Sequence, residues 1–333
     1  MPELPEVTVI VNSLNKKIKG LVLRSIEYDW PKKFYWGDFS IDDLRGAEVS
    51  GVERRGKIVV INLETSARGP VTSFPPASAR SRLKSNGTQK DNVELRAVGN
   101  PSTGATPGTN LIAILIHLKL TGQLIYQDKK TRIAGGHPLP PLNLPVPNKT
   151  TRVTFEFTNG AHLYFNDVRK FGWVKIVLNR EDGVKKAIGM ELGPDPLVMS
   201  YEQFRECLGK KKQGRIKKTL MDQSVIAGVG NIYSDEALWR AKIHPKRQVA
   251  SLGEVELKAL YKGLRESLQI SIEKGGSSAN SFVDSGGERG LYLSFGKAYH
   301  MTGKPCARCK TPIKREKMDG RSAHFCPACQ RLN

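Results

Sequence analysis

The amino-acid sequence predicts an α+β protein: a β-rich N-terminal domain, a helical domain and a small metal-held finger. Three observations carry this. Short β-branched runs fill the first 180 residues, apolar residues recur at helical spacing after residue 200, and four cysteines in two close pairs crowd the last 28 residues. At 333 residues and 39% hydrophobic composition, the chain can fill two ordinary cores.

The chain opens on MPELPE, after which Val7, Ile10, Val11, Leu14 and Ile18 fall on one helical face, with Pro5 and Glu6 where a helix start favours them. The runs VLRSIEY, KIVVINL, LIAILIHL, QLIYQ, RVTFEFT, HLYFN and WVKIVL follow, separated by Gly, Asn, Asp and Pro. They read as mostly antiparallel strands of a sandwich or barrel. Two stretches interrupt them. Residues 66–110, rich in Ser, Gly, Pro, Thr and Asn, read as a flexible insertion with six basic and two acidic residues, and His137–Asn148 as an extended proline-rich loop. The first domain thus covers 1–180, and residues 181–199, ending in the turn-like GPDPL, read as a hinge. The helical domain covers 200–295, with YEQFRECL, IKKTLMD, NIYSDEALWRAK and a long helix presenting Leu257, Leu260, Leu264, Leu268 and Ile272 on one face. Cys207 reads as an ordinary half-buried helix residue. Residues 296–333 form the finger.

Charge points to the partner. Lys and Arg number 53 against 32 Asp and Glu, giving +21 at pH 7 and a pI of about 9.8, which calls for a polyanion. From Ser200 onward there are 25 basic and 13 acidic residues, so both halves are basic and a cleft between them is positive on both walls. No stretch reaches the roughly 20 apolar residues of a membrane helix, and the N-terminus lacks a secretory pattern. A cytoplasmic protein without a membrane partner is expected. An odd count of five cysteines fits a reducing compartment.

Chemistry concentrates in four motifs. Cys306-x2-Cys309-x16-Cys326-x2-Cys329 has the spacing of a tetrahedral thiolate site, so one structural Zn2+ is expected, with no open position for a water. Lys310, Lys314, Arg315, Lys317 and Arg321 between the knuckles aim the finger at phosphate, although a solvated loop would look the same. In QSVIAGVGNIYSDEALWRAKIHP, Gly228 and Gly230 make a tight turn and Asn231 is expected to cap the next helix; exposed N–H groups there suit a phosphate, and the alternative reading is an ordinary helical hairpin. In NDVRKFG, Arg169 and Phe171 lie two apart on one side of an extended segment, a cation beside an aromatic wedge. At the start, removal of Met1 would expose the secondary amine of Pro2 beside the Glu3 carboxylate. A terminal amine, with a pKa of about 7.7 to 8, is neutral far more often than a lysine near 10.4, so a nucleophile is easier to make there. Alternatively, Pro2 merely shapes the lead-in to the helix.

Taken together and in order, MPELPE, RRGK at Arg54–Lys57, NDVRKFG, AGVGNIYSDEALW and the four-cysteine finger closely resemble the formamidopyrimidine-DNA glycosylases, the Fpg branch of the Fpg and endonuclease VIII family. The resemblance covers nearly everything outside the two insertions. It implies an N-terminal β-sandwich with flanking helices, a helix-two-turns-helix domain and a β-hairpin zinc finger, acting as a monomer on damaged double-stranded DNA. It further implies that Pro2 attacks C1′ of the damaged nucleoside and forms a Schiff base, that Glu3 manages the sugar ring oxygen, that Lys57 serves β-elimination and that Arg321 serves δ-elimination. Arg169, Phe171 and Leu120 match the residues that fill the gap left by the flipped base, and Lys217 and Asn231 match phosphate contacts. The segment Gly286–Gly290 occupies the place of a mobile loop over the flipped base.

The chain departs from the pattern in places. Leu120 within HLKLTG stands where the family has methionine, Lys119 where it has glycine, Thr150 where it has a DNA-contacting histidine, Gln213 beside Lys212 where it has a basic residue, and Val168 where it has proline. The activity implied is excision of oxidised purines such as 8-oxoguanine and formamidopyrimidines, with β,δ-elimination. The rival readings are an endonuclease VIII-like preference for oxidised pyrimidines, disfavoured by MPELPE, and a noncatalytic DNA-binding zinc protein, which leaves Pro2, Glu3 and Lys57 unexplained.

Overall fold

The computed structural model describes residues 1–65, 110–136, 144–179, 181–277 and 290–332. The segment expected to be a flexible insertion lies, over 66–109, outside the described residues, as do 137–143 of the proline-rich loop and 286–289 of the glycine-rich segment.

The first domain holds α1 (Leu4–Ile18), β1 (Leu23–Tyr28), β2 (Phe34–Tyr35), α2 (Ile41–Leu44), β3 (Glu48–Arg55), β4 (Ile58–Thr65), β5 (Asn110–His117), β6 (Gly122–Gln127), β7 (Arg132–Gly136), β8 (Thr151–Phe157), β9 (His162–Asp167), β10 (Trp173–Leu178) and α3 (Glu181–Ile188). They form two five-stranded sheets, ordered β1-β8-β9-β6-β7 and β2-β10-β5-β4-β3. Every pairing is antiparallel except that of β2 with β10. The inner faces share one core. Val59, Ile61, Leu63, Ile114 and Ile116 from one sheet meet Leu124, Val153, Phe155, Leu163 and Phe165 from the other, and α1 adds Val7, Ile10, Val11, Leu14 and Ile18. Strands β4 and β5 read as nearly continuous apolar runs because their outer face is covered too: Ile58, Val60, Ala113 and Leu115 pack against Val184 of α3. The stretch read as a hinge therefore begins with a helix seated on the sheet, and the linking chain proper is the extended 189–199.

The second domain consists of α4 (Tyr201–Gly209), α5 (Ile216–Leu220), α6 (Asn231–Ala241), α7 (Glu254–Glu273) and α8 (Tyr292–Phe295). Leu260, Leu264 and Leu268 on α7 are fully buried, facing Ile232, Tyr233 and Leu238 of α6 and Phe204 of α4. Leu257 and Ile272 pack at the edges of the same core, so the expected stripe is the buried face. Cys207 lies on α4 in that core. The finger carries β11 (Lys314–Met318) and β12 (Arg321–Phe325), closed by Asp319 and Gly320, both at positive φ (49° and 77°), the turn that an Asp-Gly pair favours between right-twisted strands.

Truncating Leu264 in the middle of this stripe is expected to destabilise the protein by about 2–5 kcal/mol. Val255, 82% exposed on the same helix, should tolerate Ala within about 0.5 kcal/mol. Urea unfolding of Leu264→Ala and Val255→Ala, followed by far-UV circular dichroism, checks the contrast.

Candidate active site and duplex-binding cleft

The two domains meet at the amino terminus. Leu4, the first residue of α1, belongs to the core of the helical domain, whereas Val7 and the turns beyond belong to the sandwich. The Leu4 N–H donates to the Gly228 carbonyl at 3.0 Å. Two glycines make this approach possible. Gly228 has φ +87°, and a Cβ there would stand 2.7 Å from Leu4 Cβ; a Cβ on Gly230 would stand 2.3 Å from the Glu3 carboxyl carbon.

That carboxylate does what the sequence assigns to Asn231. Glu3 Oε1 accepts the N–H of Ile232 at 3.0 Å, in the first turn of α6. Gly230 is the cap residue and makes no side-chain cap bond, while Asn231 is already helical. The expected Asn231 cap is thus replaced by a carboxylate from the far end of the chain, which meets unpaired N–H groups and the positive end of the helix. The Asn231 side-chain oxygen and Glu3 Oε2 are buried with no hydrogen-bond partner among the described residues.

Around this point lie the groups expected to react. Pro2, Glu3 and Lys57 are buried. Lys57 follows the turn at Gly56, φ +57°, which packs on Ala227 and Gly228. Burial raises the Glu3 pKa, and Lys57 and the terminal amine only partly offset it. Burial likewise lowers the Lys57 ammonium, against the pull of Glu3, and nearby Arg321 and Lys119 lower it further. The amine of Met1 is lowered by burial and feels Glu3, Glu6, Lys57 and Arg321. Amine, Glu3, Lys57 and Arg321 are therefore one electrostatic cluster, although Arg321 is contributed by the finger. Glu6 frames it: one oxygen accepts the Glu3 N–H at 2.8 Å, the other the Tyr233 hydroxyl at 2.5 Å and the Ser277 N–H at 2.8 Å.

Leu120, Arg169 and Phe171 are also brought together. Leu120 tips the turn between β5 and β6; Arg169 and Phe171 occupy the turn between β9 and β10, and β6 pairs with β9 at Gly122 and Asp167. The buried Asp167 carboxylate binds both turns, accepting from the Thr121 hydroxyl at 2.5 Å, the Arg169 N–H at 3.2 Å and the Gly172 N–H at 2.7 Å. Arg169 lies over the Phe171 ring at 4.9 Å. Leu120 and Phe171 remain 38% and 47% exposed, large apolar groups held out from a rigid base. Thr150 turns its hydroxyl to Asn148 at 2.7 Å.

Lys217 is buried, and its ammonium donates to Asp235 at 2.5 Å and to the Ser322 carbonyl at 2.8 Å. Burial lowers its pKa while Asp235 opposes the shift. The other Asp235 oxygen takes the His324 N–H at 3.0 Å and its ring at 2.9 Å. Asp235 thereby fixes the residues that follow Arg321 on β12. Asp235, Asp167 and Glu6 were not singled out as site residues by the sequence; the signal available was acidic residues inside motifs otherwise read for their basic or apolar members.

The Cys306, Cys309, Cys326 and Cys329 sulfurs all lie within 4.8 Å of one another, a metal site by geometry. Between the first two, the Arg308 guanidinium donates to the Trp239 and Arg240 carbonyls and lies 3.9 Å over the Trp239 ring, tying the knuckle to the end of α6. Among the described residues, no helix is long and apolar enough to cross a membrane.

The chain is similar to known proteins in sequence and fold. Residues 1–174 match the family model of the formamidopyrimidine-DNA glycosylase N-terminal domain, 192–283 its H2TH domain, and 303–332 the zinc finger found in FPG and IleRS. The formamidopyrimidine-DNA glycosylase of Pelotomaculum thermopropionicum is 34% identical with all of both chains covered, and that of Enterococcus faecalis 31% identical over 100% of this chain and 98% of its own. The Lactococcus lactis Fpg in complex with abasic-site DNA superposes with a TM-score of 0.73 at 28% identity, covering 99% of this chain and 100% of its own.

Because a methyl at residue 230 and the Glu3 carboxylate would compete for one volume, Gly230→Ala is expected to displace Glu3. Its melting temperature should fall by several degrees, and cleavage of damaged duplex by at least tenfold; wild-type values of both would refute the clamp.

Proposed function

We infer the function from one premise: the chain belongs to the formamidopyrimidine-DNA glycosylase family, DNA glycosylases and AP lyases of base excision repair. On that premise we propose that it excises oxidised purines, 8-oxoguanine and formamidopyrimidines, from duplex DNA through an N-terminal proline Schiff base. The observation that carries this reading is the buried cluster of terminal amine, Glu3 and Lys57 at the junction of two basic domains. Once Met1 is removed, the reacting amine is that of Pro2, one residue deeper in the same field. Its nitrogen attacks C1′, the glycosidic bond breaks and the base leaves. Glu3, whose proton affinity burial raises, delivers a proton to the ring oxygen as the sugar opens to an iminium. The iminium is an electron sink that acidifies C2′; loss of that proton expels the 3′ phosphate, and a second elimination expels the 5′ phosphate. Lys57, its pKa lowered, moves the proton in the first elimination, and Arg321 serves the second.

Reaching the base requires flipping it at a cost of a few kcal/mol, offset by filling the gap. Leu120, Arg169 and Phe171 fill it, and Lys217 and Asn231 hold backbone phosphate. For Lys217 this means a third donor, beyond those used by Asp235 and Ser322. Zn2+ is assigned to the four thiolates: an all-sulfur tetrahedron fits it and leaves no open position, so its work is to hold the hairpin that carries Arg321.

Borohydride trapping with an 8-oxoguanine duplex tests the function. The processed protein should yield a covalent adduct, and Pro2→Gly or a form retaining a blocked Met1 should lower or abolish it. Binding of damaged duplex without any adduct would overturn the Schiff base, and stronger excision of thymine glycol than of 8-oxoguanine would overturn the purine preference. Zinc chelation is expected to abolish duplex binding while the sandwich stays folded by near-UV circular dichroism; a metal-free protein that still binds would refute the finger's role.

A further inference from the structure

The turn that presents Leu120 carries a second group with no assigned task. Lys119 has φ +50°, in the left-handed region. A side chain there costs about 1–2 kcal/mol where glycine would cost little. Its ammonium is half-buried among like charges. Burial lowers its pKa, Lys33 lowers it further, and Lys119 in turn depresses both Lys57 and His117. Among the described residues, no carboxylate figures among the influences on it. A half-buried cation in a field of cations is unfavourable by itself and is relieved by an incoming anion.

Its backbone points to the same use. The Lys119 N–H donates to His117 Nδ1 at 3.0 Å, so Nδ1 is an acceptor and the ring proton sits on Nε2. Burial, Lys119 and Lys57 hold His117 down to about 3, which keeps the ring neutral. The turn that offers the ammonium is thus braced on both sides, by His117 through the Lys119 N–H and by Asp167 through the Thr121 hydroxyl.

We propose that Lys119 is a phosphate-binding residue of this chain, gripping the DNA backbone beside the gap that Leu120 fills. The proposal rests on the reading of the protein as a duplex-binding glycosylase and adds to it a mechanical link. Grip and wedge are adjacent residues of one braced turn, so insertion of Leu120 and capture of the phosphate occur together.

The test is binding without turnover, on a duplex bearing a tetrahydrofuran abasic analogue and on an undamaged duplex, by fluorescence anisotropy between 50 and 200 mM salt. Lys119→Gly removes the charge and relieves the backbone, so it should melt no lower than wild type. It should nevertheless bind the abasic-analogue duplex severalfold more weakly, with the slope of log K against log salt reduced by about 0.9. Lys119→Arg should restore the slope. A glycine variant with wild-type affinity and slope would overturn the proposal, as would weaker binding with an unchanged slope, which would mean a displaced Leu120 and not a lost phosphate contact. Because no chemistry is read, a failed borohydride trap would count against the Schiff base and leave this result standing.

Discussion

The cleft depends on one contact, the Glu3 carboxylate seated on the first turn of α6. An amino terminus is ordinarily the most frayed part of a chain, and the proposed reaction of its amine requires that it be held. Here the first turn of α1 is divided between two cores, with Leu4 in the helical domain and Val7 in the sandwich. The terminal residues are thus pinned where the domains join, and the glycines at 228 and 230 are the space that pinning requires. The same contact sets the chemistry. Burial that holds the backbone in place also disfavours charge on Glu3, Lys57 and the amine, raising the carboxyl and lowering the two amines.

Helix α6 is the ruler against which the rest of the cleft is measured. Its start is capped by Glu3, its middle offers Asp235 to Lys217 and His324, and its end is closed by Arg308 from between the first two cysteines. Glu236, also fully buried, accepts the N–H groups of Lys297, Ala298 and Tyr299 at the entry to the finger. Two buried acids side by side are tolerable only because each is fully hydrogen-bonded or paired. Their partners lie in the segments they position. The finger is thereby held in register with the amino terminus through a single rigid element, and Arg321 comes within electrostatic reach of Lys57 from more than 260 residues away in sequence.

Much of this was legible in the sequence, and what was missed has a common cause. Strand alternation, the α7 stripe and the cysteine spacing each follow from local periodicity, so the sheets, the helical core and the metal cluster emerged as expected. The Asn231 cap did not, because a capping rule weighs neighbours in sequence and Glu3 arrives from the other end of the chain. The helix at 181–188 was hidden because its sequence, EDGVKKAI, is polar and carries a glycine; it is held by Val184 meeting an outer sheet face that a strand pattern leaves unspecified. Asp167 was passed over for the same reason. Its value lies in joining two turns, with Thr121 lying 46 residues before Asp167 in sequence, which no spacing rule sees.

In the proposed function, affinity and reactivity fall to different cations. Lysines and arginines on the surface of both domains supply the long-range attraction for a polyanion, screened and interchangeable. Two of the buried ones, Lys57 and Lys217, are individually placed and have carboxylate neighbours of their own. Lys119 lies between these classes, half-buried and without such a neighbour among the described residues. A cation of the first class can be lost with little consequence, since others share its task. One of the second class cannot be moved without altering the proton affinity of Glu3 or the seat of the finger. In the proposed function a duplex meets the diffuse field first, then the turn that bears Leu120, then the buried cluster. Electrostatic interactions strengthen where water is excluded, so the buried cluster is where a single charge counts most.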